Sequence, residues 1–120
     1  MSHILLIDDD PLVLKTFQKL LSRSGYEVTS CASYDDALIA LRVIGLDLIL
    51  SDIRMPGKNG VETVAEIQNQ LKLAGKSEVP IIFITGYAEF GDQLNASFLG
   101  EVLNKPVDAE KLLGTIRDYL

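Results

Sequence analysis

The chain has 120 residues, 11 basic and 17 acidic, a formal net charge of −6 and 48% hydrophobic side chains. That is enough apolar material for the core of one domain, while the acidic balance lacks the clustered Lys and Arg that hold nucleic-acid phosphates. Cys31 is the lone cysteine, which excludes an intrachain disulfide framework, and no apolar run approaches the ~20 residues that span a bilayer. The opening MSHILLIDDD has no basic flank ahead of a long apolar stretch, unlike a secretion signal. A soluble, cytoplasmic protein is expected, with a single domain over residues 1–120, because no linker or repeat divides the chain.

In chain order, short apolar runs alternate with segments of helical period. His3–Ile7 (HILLI) is nearly all apolar, as in a strand covered on both faces. Asp10-Pro11 then reads as a helix cap followed by proline at the first helical position. Leu12, Val13, Phe17, Leu20 and Leu21 form a helical stripe that Gly25 ends. Glu27–Cys31 is polar enough for an edge strand. Ser33 with Asp36 resembles a capping box opening a helix through Leu41, closed by Gly45.

Residues 46–51 (LDLILS) read as the third strand and 52–60 (DIRMPGKNG) as a loop rich in turn residues. Val61, Val64, Ile67 and Leu71 mark the third helix. Residues 80–84 (PIIFI) form a fourth strand and 85–92 a loop holding Tyr87 and Phe90. Residues 93–99 are expected to make only a short helix, because Gly91 and Asp92 interrupt the pattern. Glu101–Asn104 is a brief fifth strand. After Pro106, Asp108 caps a last helix lined by Leu112, Leu113, Ile116 and Tyr119.

Five β-α units in about 120 residues imply a parallel sheet with right-handed crossovers. They suit an α/β doubly wound, flavodoxin-like (βα)5 domain with strand order 2-1-3-4-5. Sites in such folds form outside the carboxyl ends of the strands, near the switch in strand order. There the first strand delivers Asp8 and Asp9, the third Asp52, the fourth Thr85 and the fifth Lys105. Each alone is an ordinary residue at a strand end; the five together, from four strands, are a constellation. Clustered carboxylates repel unless a cation joins them. An all-oxygen site with no His or Cys nearby suits Mg²⁺ rather than zinc. Metal, carboxylates, a lysine and a hydroxyl are the parts of phosphoryl transfer, and an aspartate can itself form an acyl phosphate.

The pieces ILLIDDD, LILSDIRMPGKNG, PIIFITGYA and Lys105-Pro106, in that order over nearly the whole chain, resemble the receiver domains of bacterial two-component response regulators, the CheY-like family. The resemblance implies that Asp52 accepts a phosphoryl group from a sensor histidine kinase or a histidine phosphotransfer protein, and that the acyl phosphate later hydrolyses. It implies Mg²⁺ bound by Asp9, by Asp8 directly or through water, by Asp52, and by the backbone carbonyl of Arg54. It gives Thr85 a phosphoryl oxygen to hydrogen-bond and pairs Lys105 with Asp52. It makes the Lys105-Pro106 peptide cis, and places Arg54 and Tyr87 where side chains tune the lifetime of the phosphoryl group. A downstream protein or fused output domain is implied, without direct contact to nucleic acid or membrane.

Two departures bear on the output. Receivers often carry a rotating aromatic three residues before the lysine, where this chain has Val102, and the short fourth helix expected here would alter the usual output face. Reordering of residues 85–92 is the expected alternative relay. Lys15, Lys19 and Arg23 share a helix face and read as a solvated face, with a kinase-docking stripe as the competing reading. His3 reads as structural and Cys31 as a small buried hydrophobe. Two other functions compete with the receiver. An aspartate-nucleophile phosphatase would want a second Asp two places after the nucleophile, where Arg54 stands. A pseudo-receiver would be a protein-interaction module that is never phosphorylated.

Overall fold

The computed structural model describes residues 2–42, 45–86 and 89–120. Five strands alternate with five helices: β1 His3–Ile7, α1 Pro11–Arg23, β2 Glu27–Cys31, α2 Tyr34–Leu41, β3 Leu48–Ser51, α3 Gly60–Leu73, β4 Ile81–Thr85, α4 Phe90–Leu99, β5 Glu101–Asn104 and α5 Ala109–Tyr119. The strands form one sheet in the order β2-β1-β3-β4-β5, with every neighbouring pair parallel. This is the doubly wound arrangement expected from the alternation.

Alternation along each strand assigns the two cores. Ile4, Leu6, Leu48, Leu50, Ile82 and Ile84 face Leu21 of α1 and Leu112 and Ile116 of α5. Leu5, Ile7, Ile49 and Phe83 face Ala37 of α2, Val64 and Ile67 of α3, and Ala96 of α4. Strands β1, β3 and β4 are therefore covered on both faces, which is why they are apolar almost without interruption. The edge strands β2 and β5 bury far less of their length.

The helix starts follow local chemistry. Asp10 accepts from the Leu12 amide, and Pro11 occupies the first helical turn, where a missing N–H costs nothing. Ser33 accepts from the Asp36 amide at 3.2 Å. The reciprocal capping box lies elsewhere, at α3: Asn59 accepts from the Glu62 amide at 2.9 Å, and Glu62 accepts from the Asn59 amide at 3.2 Å. It starts α3 at Gly60, so the turn-rich loop is shorter than the sequence pattern implied.

Three boundaries differ from expectation. Strand β3 begins at Leu48, since Leu46 and Asp47 precede the ladder. Strand β4 runs to Thr85, which pairs in register with Asn104, while Pro80 stays outside and lends its carbonyl to the Ile49 amide at 3.0 Å. Helix α4 has ten residues rather than a stunted turn or two, and it begins at Phe90. The apparent interruption by Gly91 and Asp92 falls in its first turn, where an acidic residue is favoured by the exposed amides. Phe90 thus belongs to a helix and not to the loop; Tyr87 lies outside the described residues.

Gly60 shows how closely α3 sits under β3. Its amide donates to the Ile53 carbonyl at 2.7 Å, and a Cβ there would overlap the Asp52 carbonyl oxygen. Gly114, inside α5, has only Arg117 near its missing Cβ, at 3.8 Å. Gly60→Ala should therefore lower the unfolding free energy by about 1–3 kcal/mol through overpacking. Gly114→Ala should raise it by about 0.5–1 kcal/mol by removing backbone entropy from the unfolded chain. Urea titration of both variants checks the pair, and the same sign for both would contradict this packing.

Candidate functional site

The carboxyl ends of β1, β3, β4 and β5 meet at one rim of the sheet. Parallel pairing sets Ile7 beside Ser51 and Thr85 beside Asn104, so the residues that follow are delivered side by side. Carboxylate oxygens of Asp8, Asp9 and Asp52 all lie within 4.8 Å of one another. Asp8 and Asp52 are buried, at 3% and 9% exposure, and Asp9 is open to solvent. The cluster thus has a dry floor and a wet mouth.

Backbone amides orient the two buried acids. Asp8 accepts from the Asp10 amide at 2.9 Å and Asp52 from the Ile53 amide at 2.7 Å. The Asp52 peptide is held in turn: its amide donates to Ile7 at 2.9 Å, and its carbonyl accepts from the Ser51 hydroxyl at 2.8 Å. Lys105 reaches across from the end of β5. Its Nζ lies 3.3 Å from Asp52 Oδ2 and 3.5 Å from Asp8 Oδ2. One cation is shared by two buried anions. The Lys105 amide donates to the Thr85 carbonyl at 2.8 Å, and the Lys105-Pro106 peptide is cis, as the resemblance implied.

Burial pushes the Asp8 carboxyl above its ordinary value. The Asp10 amide opposes that shift, the charges of Asp52 and Asp9 add to it, and Lys105 offsets part of it. Burial alone would push the Lys105 ammonium down, but the charges of Asp52 and Asp8, and the hydrogen bonds to both, hold it above its ordinary value. The site carries more negative charge than one lysine neutralises.

Thr85 is 1% exposed, and its Oγ1 has no hydrogen-bond partner. A buried hydroxyl left unpaired costs free energy, so this atom is a donor in want of an acceptor. Arg54 lines a cavity of about 380 Å³ at the mouth with Asp9, Met55 and Pro56.

Every residue singled out at the strand ends thus lies at one rim. The amides of Asp10 and Ile53 and the packing of Gly60 escaped sequence reading. Backbone donors carry no residue signature, and the DDD run signalled only acidity and a cap. His3 is structural, as expected: its Nε2 lies 2.7 Å from Thr29 Oγ1 and its Nδ1 3.4 Å from Glu27. Cys31 is buried, and burial pushes its thiol up to about 11. Lys15, Lys19 and Arg23 are all exposed on α1. Val102 is half-buried and packs against the α3–α4 side of the core.

A parallel sheet in this order, with acids at its switch point and a lysine at the end of its last strand, defines a CheY-like α/β module. The model of the response regulator receiver domain matches residues 4–117, and the chain belongs to that family, a signalling domain of two-component systems. It is 35% identical to the transcriptional regulatory protein GlrR of Escherichia coli K12 over 99% of this chain and 26% of GlrR. It is 29% identical to the polar-differentiation response regulator DivK of Brucella abortus strain 2308 over 98% of this chain and 94% of DivK. The chain therefore spans about a quarter of the first relative's length and nearly all of the second's.

Among solved structures it resembles the chemotaxis protein CheY4 of Vibrio cholerae (TM-score 0.87, 28% identity, 100% of this chain and 99% of that one). It also resembles the response regulator TrrA of Thermotoga maritima in complex with Mg(2+)-BeF (TM-score 0.85, 28% identity, both chains fully covered). These likenesses favour neither the phosphatase nor the pseudo-receiver. No helix among the described residues is long and apolar enough to cross a membrane.

The raised carboxyl of Asp8 has a consequence for stability. Because its folded pKa exceeds the unfolded value of 3.8, the folded state binds the proton more tightly, and ionised Asp8 weakens the fold at neutral pH. Asp8→Asn should therefore raise the urea midpoint at pH 7 in EDTA. The gain should shrink as pH falls through the raised pKa toward 3.8. A loss of stability at pH 7 would mean that the Lys105 contact outweighs the burial cost.

Proposed function

We propose that residues 1–120 act as one receiver unit in which Asp52 accepts a phosphoryl group from a phosphohistidine of a sensor kinase or phosphotransfer protein. The observation that carries this reading is the convergence of Asp8, Asp9 and Asp52 within 4.8 Å, with Lys105 Nζ 3.3 Å from Asp52. The Asp52 carboxylate attacks phosphorus, the O–P bond forms as the N–P bond breaks, and the imidazole departs. Lys105 offsets the repulsion between carboxylate and phosphate as they approach. The unpaired Thr85 hydroxyl donates to an oxygen of the new acyl phosphate, which supplies the acceptor it otherwise lacks.

The donor set also fits Mg²⁺: three carboxylates, two of them buried and one facing water, form an all-oxygen site with room for solvent. Asp8, Asp9, Asp52 and the Arg54 carbonyl would hold the ion. When bound, it neutralises charge on the phosphoryl oxygens. Reset is hydrolytic: water attacks phosphorus, the acyl O–P bond breaks, and the Asp52 carboxylate and inorganic phosphate are released. Arg54 and Tyr87 are the side chains proposed to tune that step. The domain catalyses only its own phosphorylation and dephosphorylation, in the cytoplasm. The output is a separate protein or a fused domain, as the contrasting lengths of DivK and GlrR relative to this chain allow.

Intact mass after incubation with Mg²⁺ and a small phosphodonor tests the reading. One phosphoryl group should add to the wild type and none to Asp52→Asn. EDTA and Asp9→Asn should each slow the addition by more than tenfold, or about 1.4 kcal/mol in the barrier. No adduct with any donor favours the pseudo-receiver, and rapid turnover of unrelated phosphate esters favours the phosphatase.

With Val102 in place of a rotating aromatic, the proposed route outward from Thr85 follows its pairing with Asn104 and the adjoining Lys105, with α4 as the element that responds. Amide chemical shifts in residues 89–105 should move on phosphorylation. Fixed shifts there would reject this relay.

A further inference from the structure

Helix α4 carries the two most exposed large apolar side chains among the described residues, Phe90 at 82% and Phe98 at 79%. They lie four residues on either side of Leu94, itself 47% exposed, so the three form one stripe along the helix. Ala96, fully buried, anchors the opposite face to the core. Contiguous exposed apolar surface of this kind marks a contact site.

The stripe is symmetric in sequence about Leu94. Phenylalanines stand at four residues on either side, the small residues Gly91 and Ser97 at three, and the carboxamides Gln93 and Asn95 at one. A two-fold axis through Leu94 would set two α4 helices antiparallel. Phe90 of one copy would then meet Phe98 of the other, and Gly91 would meet Ser97. A two-fold interface must be complementary to itself, and this pattern is. The small residues beside Leu94 permit close approach of the helices, and each Phe pair gains offset or edge-to-face packing.

Charge points to the same occupant. Each copy carries −6, so two copies repel at long range, and contact through an uncharged patch adds least to that repulsion. The only charged residue of α4 is Asp92, about half a turn away from the stripe. On the exposed face of α1, by contrast, Lys15 and Lys19 would confront their own like charges across a two-fold.

We propose that this chain self-associates through antiparallel packing of α4 on a two-fold axis at Leu94. Two Phe rings and a Leu offer roughly 400 Å² per copy, about half of a standard stable interface, so the dimer is weak and reversible. It needs neither a phosphodonor nor Mg²⁺, because the stripe is exposed in this structure, and its failure would leave the phosphoryl chemistry of Asp52 untouched.

Sedimentation and light scattering of the unphosphorylated protein test this. The mass should rise from 13.2 kDa toward twice that value with concentration. The rise should be steeper at high salt, since screening relieves the repulsion between copies. Leu94→Glu should abolish it, whereas Leu73→Glu, on the exposed end of α3, should not. Cysteines resolve the geometry, because native Cys31 is buried. On mild oxidation Leu94→Cys should cross-link to itself. Phe90→Cys should cross-link to Phe98→Cys, and neither should do so to its own kind. A mass fixed at 13.2 kDa up to about 1 mM, where even a weak Kd of that size half-fills the dimer, would overturn the proposal and leave the stripe to a different protein. A dimer that survives Leu94→Glu, or Phe90→Cys cross-linking mainly to itself, would overturn it as well.

Discussion

The repulsion between buried carboxylates organises this molecule. Asp8 and Asp52 lose most of their hydration where β1 and β3 end, and Asp9 adds a third negative charge at the mouth. Carboxylates so placed destabilise a fold unless something compensates them. Two backbone amides and one lysine from the far side of the sheet do so in part. The remaining imbalance makes the site receptive to a cation and, with it, to a phosphoryl group. Much of the surrounding structure serves to keep those acids together.

The scaffold can bear that stress because its centre is almost entirely apolar. The β1, β3 and β4 strands are buried on both faces, and two helix layers seal them. Gly60 lets the start of α3 pack directly beneath the Asp52–Ile53 peptide, and the Asn59–Glu62 capping box fixes where that helix begins. A rigid floor under Asp52 is what precise placement of an acceptor requires. The lysine enters from β5, whose pairing with β4 also sets Thr85 in register with Asn104. The hydroxyl and the ammonium proposed to sense a phosphoryl group are thus tied to the same two strands.

Helix α4 is the least conventional element. Its first turn contains Gly91 and Asp92, it has no side-chain cap, and its outward face is aromatic rather than charged. A helix held mainly by Ala96 and a few neighbours can shift at small cost, and an apolar stripe on it can exchange between water and a second surface. The proposed acyl phosphate and the proposed self-association would then act on one element from opposite sides, the first through Thr85 and the second through Leu94.

The alternation of apolar runs and helical stripes determined the class of fold, because a parallel sheet demands both signals and loops of this length allow little else. It also determined which strand ends carry acids, the threonine and the lysine, since each follows directly on a recognisable strand. The meeting of those residues within a few ångströms is tertiary: it depends on β1 lying between β2 and β3, a choice made by the packing of helices on two faces and not by any local preference. The amides aimed at Asp8 and Asp52 are invisible in sequence because every residue but proline has one. The length of α4 is hidden in the sequence for a related reason. Gly91 and Asp92 disfavour a helix interior but are tolerated in a first turn, and only the anchoring of Ala96 in the core decides that a first turn falls there.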